Sequence, residues 1–245
     1  MKIRADLHIH TVLSPCAEVE MIPPLIVERA LATHLDLIAV TDHNASANVG
    51  AVIDAAKKAG LKILPGMELQ TREHVHLLCL FDTVEQLTMW QTQVDAAMPD
   101  MQNRADLFGE QFVVDAFGDF VRREVRLLLT SADITLENAV KRVSDLGGIT
   151  IPAHIDRPEN GLIPILGFVP PNLNVAALEI SSNISDDVAC KKFPSCANYA
   201  LIRGSDAHWL DAMASGVTEL ELESRDVENV ARALREKNYR IRNTK

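Results

Sequence analysis

The chain has 245 residues, 47% of them hydrophobic, which is enough to bury one sizeable core, and no apolar run reaches the ~18 residues that a membrane span needs. The N-terminus lacks the apolar core of a signal peptide, so we expect a cytoplasmic protein. A formal net charge of −10, the lack of a Lys/Arg run and an aromatic content of 4% disfavour extended nucleic acid as the partner and favour a small or short anionic substrate.

Short apolar runs alternate with helical patterns through the first half of the chain, which is typical of βα units. In chain order the sequence predicts a strand at 3–9, a helix at 23–34, a strand at 35–41, a helix at 47–59, strands at 61–64 and 75–81, and a helix at 83–97. Residues 109–131 are less regular, and Gly118 between two apolar runs indicates a hairpin excursion there.

The second half continues the alternation with more strands. The predicted elements are a helix at 135–146, strands at 149–153, 175–180, 200–204 and 217–222, and a final helix at 225–237. Neither a low-complexity linker nor an internal repeat interrupts them. We therefore expect residues 1–245 to form a single domain.

Several predicted strands end in a histidine or an acid. These strand-end residues are His8 and His10, Asp42 and His43, His154, and Asp206 and His208, with Glu68 following a fifth strand. In parallel α/β barrels the chemistry collects at the carboxyl ends of the strands, so the pattern indicates one shared site. His76 departs from it, because it lies near the start of its run.

Two of these strand ends carry paired side chains. His8 and His10 are two residues apart on a strand, so both imidazoles point to the same face and can reach one ion. Asp206 and His208 repeat this spacing with one carboxylate, a group that can bridge two cations.

Each position also has an ordinary structural interpretation. Asp42 and Glu68 suit turns, and His34 suits the end of a helix, where a cation complements the dipole. His74 shares a face with His76 and is either a supporting residue or exposed to solvent.

A shared metal centre explains the whole set better than separate coincidences, because a desolvated histidine or acid is costly without a partner. Imidazole and carboxylate ligands without a cysteine cluster suit zinc, manganese or iron(II) rather than calcium. The candidate metal ligands are His8, His10, His43, Glu68, His76, His154, Asp206 and His208.

The same residues lie in motifs that match a known family in its own order. The motifs are Asp6-Leu7-His8-Ile9-His10-Thr11, Thr41-Asp42-His43-Asn44, Gly66-Met67-Glu68, Val75-His76-Leu77-Leu78, Pro152-Ala153-His154 and Gly204-Ser205-Asp206-Ala207-His208. The chain thereby resembles the PHP family, named for polymerase and histidinol phosphatase. The resemblance implies an α/β fold of the distorted (β/α)7 barrel type, a di- or trinuclear centre of divalent ions, and phosphoester hydrolysis.

The resemblance also implies how the ligands divide. His8, His10, Glu68 and Asp206 would serve one ion, His43 and His208 a second, and His76 and His154 a third that Glu68 bridges. Many relatives have Ser-Asp-Gly shortly after the first motif, with the aspartate as a ligand. This chain has Ser14-Pro15-Cys16, so Cys16, Glu18, Glu20 or water takes that place.

The implied reaction is hydrolysis of a small phosphomonoester or short nucleotide-type phosphoester by a metal-activated water. Arg157 lies three residues after His154, where it either contacts the phosphate or forms a surface salt bridge. His208 or His43 would protonate the leaving group. Asp206 would be the third residue at the reacting centre. Two alternatives stay open: an amide-type metallohydrolase on the same site, and a non-catalytic, polymerase-associated module.

Overall fold

A computed structural model describes residues 1–171, 173–182 and 184–243. Its strands are β1 (Lys2–Ile9), β2 (Leu37–Val40), β3 (Lys62–Gln70), β4 (His76–Leu80), β5 (Phe112–Val114), β6 (Phe120–Arg123), β7 (Ile149–Pro152), β8 (Leu178–Glu179), β9 (Leu201–Ile202), β10 (Gly216–Glu221) and β11 (Tyr239–Asn243). Its helices are α1 (Pro23–Ala32), α2 (Val49–Ala56), α3 (Val84–Ala97), α4 (Ala105–Phe108), α5 (Leu136–Asp145), α6 (Leu162–Leu166), α7 (Asp186–Lys192) and α8 (Val227–Arg235). None of these helices is long and apolar enough to cross a membrane.

The main sheet is mixed rather than parallel throughout. Its order is β11-β10-β1-β2-β3-β4-β7, in which β1, β2 and β3 are parallel and the remaining pairs are antiparallel. β4 reverses direction because only residues 71–75 separate it from β3, too few for the crossover that a parallel pair requires. The predicted α/β class is therefore confirmed as a mixed α/β fold with a curled sheet, whereas a complete (β/α)7 barrel stays a prediction.

The direction of β4 explains the position of His76. Glu68 pairs with Leu78 and Gln70 with His76 in the antiparallel register, so the start of β4 lies beside the carboxyl end of β3. β3 is also longer than predicted and carries Glu68 within it. The sequence pattern does not reveal strand direction, which is why His76 was at odds with the other strand ends.

The hydrophobic core covers both faces of the main sheet. Ile26, Val52, Trp90 and Val143, from four helices, belong to one buried cluster with the strands. A second cluster places α8 against the other side of the strands. This double covering explains why β2 is buried at every position and reads as a continuous apolar run.

Two short pairs of strands stand outside the main sheet. β5 and β6 form an antiparallel hairpin with Gly118 at a φ of +86°, a conformation that favours glycine. β8 and β9 are parallel, and the Ala176 amide donates to the Thr150 carbonyl of β7 at 2.9 Å. The division of the chain as one domain, 1–245, stays a prediction.

Candidate metal centre

The structure brings all eight predicted side chains to one end of the sheet. Three groups have ligand atoms within 4.8 Å of one another: His8, His10, Glu68 and Asp206; His10, His43 and His208; and His43, Glu68 and His76. His154 joins them through Glu68, with 3.1 Å between its Nε2 and Oε1. Six imidazoles and two carboxylates therefore share one small volume.

A backbone bridge aligns the two paired motifs. Ile9 bridges Ala207, with the His10 amide donating to the Ala207 carbonyl at 3.0 Å. This pairing sets His8 and His10 beside Asp206 and His208, and the rings of His10 and His208 stack with centroids 4.1 Å apart. The local backbone is strained to achieve this arrangement, since Asp206 has a φ of +50°. Such a conformation costs a non-glycine residue about 1–3 kcal/mol and is typical of functional sites.

Glu68 lies at the centre of the cluster. Its Oε1 is 2.8 Å from His76 Nδ1 and 3.3 Å from His8 Nε2, and its Oε2 is 2.9 Å from His43 Nδ1. The carboxylate is fully buried, which by itself raises its pKa, but His76, His8 and His43 outweigh burial and hold the pKa of Glu68 well below its usual range. Glu68 is therefore ionised in contact with imidazoles from three strand ends.

Ser14 and Asp42 hold His10 from behind. Ser14 Oγ donates to Asp42 Oδ1 at 2.7 Å and lies 2.9 Å from His10 Nδ1. Asp42 also accepts the amide and the hydroxyl of Thr11, both at 2.7 Å, so its carboxylate organises the loop after β1. The turn interpretation of Asp42 is thus consistent with its side-chain hydrogen bonds, which run to Thr11 and Ser14 in the loop.

Glu179 holds His8 and was missed in the sequence. Its Oε2 lies 2.9 Å from His8 Nδ1, and the side chain is only 2% exposed. The signal was present, because Glu179 is an isolated acid in the predicted apolar strand at 175–180. It carries no histidine or acid two residues away, so the pairing pattern did not select it.

The donor set fits divalent cations. Within the described residues, His154 Nδ1 and His76 Nε2 are buried without a hydrogen-bond partner, and the close contacts of Glu68 Oε2 and His76 Nδ1 lack hydrogen-bond geometry. Leaving such groups unpaired costs about 1–3 kcal/mol each. A bound cation that accepts their lone pairs would remove that cost. Burial, with His208 and His43 nearby, lowers the pKa of His10 well below its usual range, which leaves it neutral as a ligand must be.

Arg157 reaches the edge of this cluster. Its Nη1 lies 2.5 Å from Asp206 Oδ2, and its side chain is 40% exposed. Of the two alternatives for Arg157, the structure contains a salt bridge, and its partner is a candidate metal ligand. Contact with a phosphate stays a prediction. An arginine at this position faces both the cluster and solvent.

Cys16 also contacts the cluster, unlike the other candidates for the missing ligand. Burial raises the pKa of the thiol, but hydrogen bonds from His208 and His43 outweigh it and lower the pKa to about 7. Glu18 and Glu20 are exposed, although the Glu18 amide donates to the His208 carbonyl at 2.8 Å. His34 and His74 are exposed as well, and His74 contacts Gln70 and Ser131 instead of the cluster.

Several solved structures share this fold at low sequence identity. Endonuclease Q from Pyrococcus furiosus, described as lesion-specific, is 17% identical with a TM-score of 0.71, over 98% of this chain and 58% of its own. Endonuclease Q in complex with a 27-mer duplex substrate, with an abasic lesion at the active site, is 17% identical with a TM-score of 0.65, over 96% and 57%. A two-domain protein from Bacteroides vulgatus containing a predicted PHP-like metal-dependent phosphoesterase is 14% identical with a TM-score of 0.59, over 99% and 65%. This chain thus spans less than two thirds of each of these proteins.

The endonuclease complex corrects the expectation about partners. The composition argued against extended nucleic acid, yet a protein with this fold holds a duplex substrate at its active site. The net charge of −10 misled because it averages over the whole chain, whereas cations held by a cluster of imidazoles and carboxylates add positive charge locally. Composition therefore does not exclude nucleic acid here.

Two family models match the chain, and between them they cover five of its six motifs. The model described as PHP domain matches residues 6–144, more than half of the chain, and the model described as PHP-associated matches residues 197–239. No curated protein matches the chain. The resemblance carried by the motifs is confirmed, and the chain belongs to the PHP family.

Proposed function

We propose that the chain is a metal-dependent phosphoesterase whose eight clustered side chains are metal ligands. The observation that carries this proposal is the convergence of six imidazoles on two carboxylates, with buried nitrogen and oxygen atoms left unpaired around Glu68. Zinc, manganese and iron are the ions that this mixture of ligands suits. The proposal assigns two or three such ions to the centre.

We propose the division of the ligands that the family motifs imply. His8, His10, Glu68 and Asp206 would hold one ion, His43 and His208 a second, and His76 and His154 a third that shares Glu68. His10 lies in two of the three groups, so it is able to serve either of the first two ions. We propose Cys16 as a further ligand of the second ion, because its thiol contacts both His43 and His208.

The ions would supply Lewis-acid stabilisation of the phosphoryl oxygens and acidify the attacking water. The chain itself positions the substrate through Arg157, whose guanidinium can contact two oxygens of a phosphate when it turns from Asp206. His208 is the better candidate for protonating the leaving oxygen, because its side chain is 17% exposed against 8% for His43. Asp206 holds both Arg157 and the paired imidazoles in register.

Nucleic-acid phosphodiesters are the substrate class that we propose first. Support comes from the fold shared with endonuclease Q over nearly all of this chain. This chain spans 58% of the length of endonuclease Q, so the shared fold supports the class of substrate and not the extent of the duplex contacted. The proposed chemistry acts on a phosphate group, which a phosphodiester and a phosphomonoester both present.

A substrate panel tests the proposal. Metal-stripped protein is reloaded with manganese or zinc and given duplex DNA with and without an abasic site, single-stranded DNA, a phosphomonoester and an amide. We expect metal-dependent cleavage of a phosphoester and loss of that cleavage in His10→Ala. Full activity in His10→Ala, or turnover of the amide alone, contradicts the proposal. Binding of metal with no turnover supports the non-catalytic alternative.

We also propose that residues 1–245 form one domain and that the sheet closes into a distorted (β/α)7 barrel. The Ala176–Thr150 hydrogen bond joins the β8 segment to β7, and the Ile9–Ala207 bridge joins the segment after β9 to β1. These contacts would close β1, β2, β3, β4, β7, β8 and β9 into a ring. Hydrogen exchange of the Ala176 and His10 amides tests whether these two contacts are protected from solvent to the same degree as the sheet.

A further inference from the structure

Glu179 is a buried carboxylate that contacts two parts of the metal centre without belonging to any of its ligand groups. Its Oε2 accepts a hydrogen bond from the backbone amide of His154 at 3.0 Å and lies 2.9 Å from His8 Nδ1. The ligand groups of the cluster are formed without it. One oxygen atom of Glu179 thus ties the end of β1 to the end of β7.

The contact with His8 decides which imidazole nitrogen faces the centre. A neutral imidazole carries one N–H, and a carboxylate can only accept, so Glu179 holds that hydrogen on Nδ1. The lone pair of Nε2 is then directed at the other side of the ring. His8 Nε2 lies 3.2 Å from Asp206 Oδ1 and 3.3 Å from Glu68 Oε1, which is where a shared cation would lie.

The backbone amide of His154 needs a fixed acceptor because its residue is strained. His154 has a φ of +30°, a conformation that a side chain larger than glycine disfavours. The bond to Glu179 holds this turn, while His154 Nε2 reaches Glu68. Glu179 therefore sets the position of two candidate ligands that come from different strands.

Gly204 packs closely against Glu179 and His8. A Cβ atom on Gly204 would lie 2.3 Å from Glu179 Oε1 and 2.6 Å from His8 Cβ. Glycine at position 204 therefore leaves room for the Glu179 carboxylate and His8 in their present positions, which a larger residue would not. Burying a carboxylate in this apolar strand costs free energy. The hydrogen bonds of Glu179 with His8 and His154 offset part of that cost.

We propose that Glu179 is a positioning residue that fixes His8 as an Nε2 ligand and holds the His154 turn for cation binding. This inference rests on the proposed metal centre. Residues that orient a metal-bound histidine in this way commonly change metal affinity by about 10- to 100-fold when they are removed. The test is therefore a binding measurement, in which turnover has no part.

Manganese binding to metal-stripped protein is measured by calorimetry, together with thermal unfolding of the metal-free form. We expect Glu179→Ala to weaken manganese binding by about 10- to 100-fold. Glu179→Gln should stay within about tenfold of the wild type, because its amide oxygen can accept from both His8 and His154. Glu179→Asp should resemble Glu179→Ala, because its carboxylate is one methylene too short.

Asp226→Ala is the matched control, since Asp226 caps the start of α8 by accepting the Asn229 amide, away from the centre. It should lower the unfolding temperature and leave manganese affinity unchanged. If Glu179→Ala does not fold, Glu179→Asp and Glu179→Gln decide the question by the same comparison. Wild-type affinity in Glu179→Ala or Glu179→Asp overturns this inference alone, because the metal centre would then be intact. A wild-type protein that binds no manganese overturns both this inference and the proposed function.

Discussion

Ile9 bridges Ala207, and this one backbone contact sets a His-Ile-His motif beside an Asp-Ala-His motif that lies almost 200 residues away in the chain. The pairing puts His10 Nε2 at 3.2 Å from Asp206 Oδ1. Neither motif alone forms the cluster, because each supplies only two of its side chains. Glu68 then connects this pair of motifs to the imidazoles of His43, His76 and His154.

Replacing Glu68 should disable the centre most completely. Glu68→Gln keeps the shape of the side chain but removes the charge that faces five imidazoles, so we expect loss of at least one bound ion per chain. We expect phosphoesterase activity to fall by about 100-fold or more, the scale on which preorganised electrostatic stabilisation acts. Metal analysis and a steady-state assay measure both. Glu73→Gln, which alters a carboxylate that accepts the Leu136 amide, is the control and should retain its ions.

Arg157 should act on substrate rather than on metal. Arg157→Ala removes a cation at the edge of the cluster, so we expect kcat/KM to fall by about 10- to 100-fold, or ~1.4–2.8 kcal/mol of transition-state stabilisation. Arg157→Lys keeps the charge but not the two-pronged geometry, and should recover only part of the loss. Manganese affinity of both variants should match the wild type. A large loss of metal with little change in kcat/KM would assign Arg157 to holding Asp206 instead.

Cys16 should distinguish zinc from manganese. A thiolate ligand favours the softer zinc ion, so Cys16→Ser should weaken binding of zinc at the second position more than binding of manganese. The thiol is exposed and contacts His43 and His208, so its alkylation by iodoacetamide should slow when zinc is added. Competition titrations of both metals and alkylation rates measure these effects. If Cys16→Ser binds zinc as tightly as the wild type and zinc does not slow alkylation, Cys16 is not a ligand and water takes that position.

Two glycines should respond in opposite ways to the same substitution. Gly204→Ala places a Cβ against Glu179 and His8, and overpacking of this kind costs about 1–3 kcal/mol of the free energy of unfolding. Gly50→Ala meets nothing within 4 Å and lies in α2, so it should stabilise the protein by about 0.5–1 kcal/mol. Denaturant unfolding of the metal-free variants measures both. Equal free energies for the wild type and Gly204→Ala would show that this part of the chain has more room than the structure gives it.

Much of the centre was predictable because its side chains follow strands. The spacing of His8 and His10 and of Asp206 and His208 needs only the two-residue period of a strand to put each pair on one face. The direction of β4 was not predictable from that period, which left His76 at the wrong end until the antiparallel register was known. Direction depends on the length of the connection, and the predicted strand at 61–64 ended too early to show that only residues 71–75 separate β3 from β4.

Two of the features missed in the sequence depend on distant packing. Glu179 resembles a single interruption of an apolar strand, and its meaning comes from His8, which is 171 positions away. β11 was not predicted, because Tyr239–Asn243 carries arginines and acquires strand structure from its antiparallel pairing with β10 at the edge of the sheet. The partner expectation failed for a similar reason, since the net charge of a chain says little about the charge at one site.

Anomalous diffraction from crystals of the zinc-loaded protein tests the central claim most directly. We expect two or three anomalous peaks in the cluster, with at least one ion about 2.0–2.2 Å from a Glu68 oxygen and from imidazole nitrogens of the surrounding strands. The same data would show His8 bound through Nε2, with Nδ1 on Glu179. Fully loaded crystals with no peak at Glu68, or with zinc bound only elsewhere on the chain, would contradict the account.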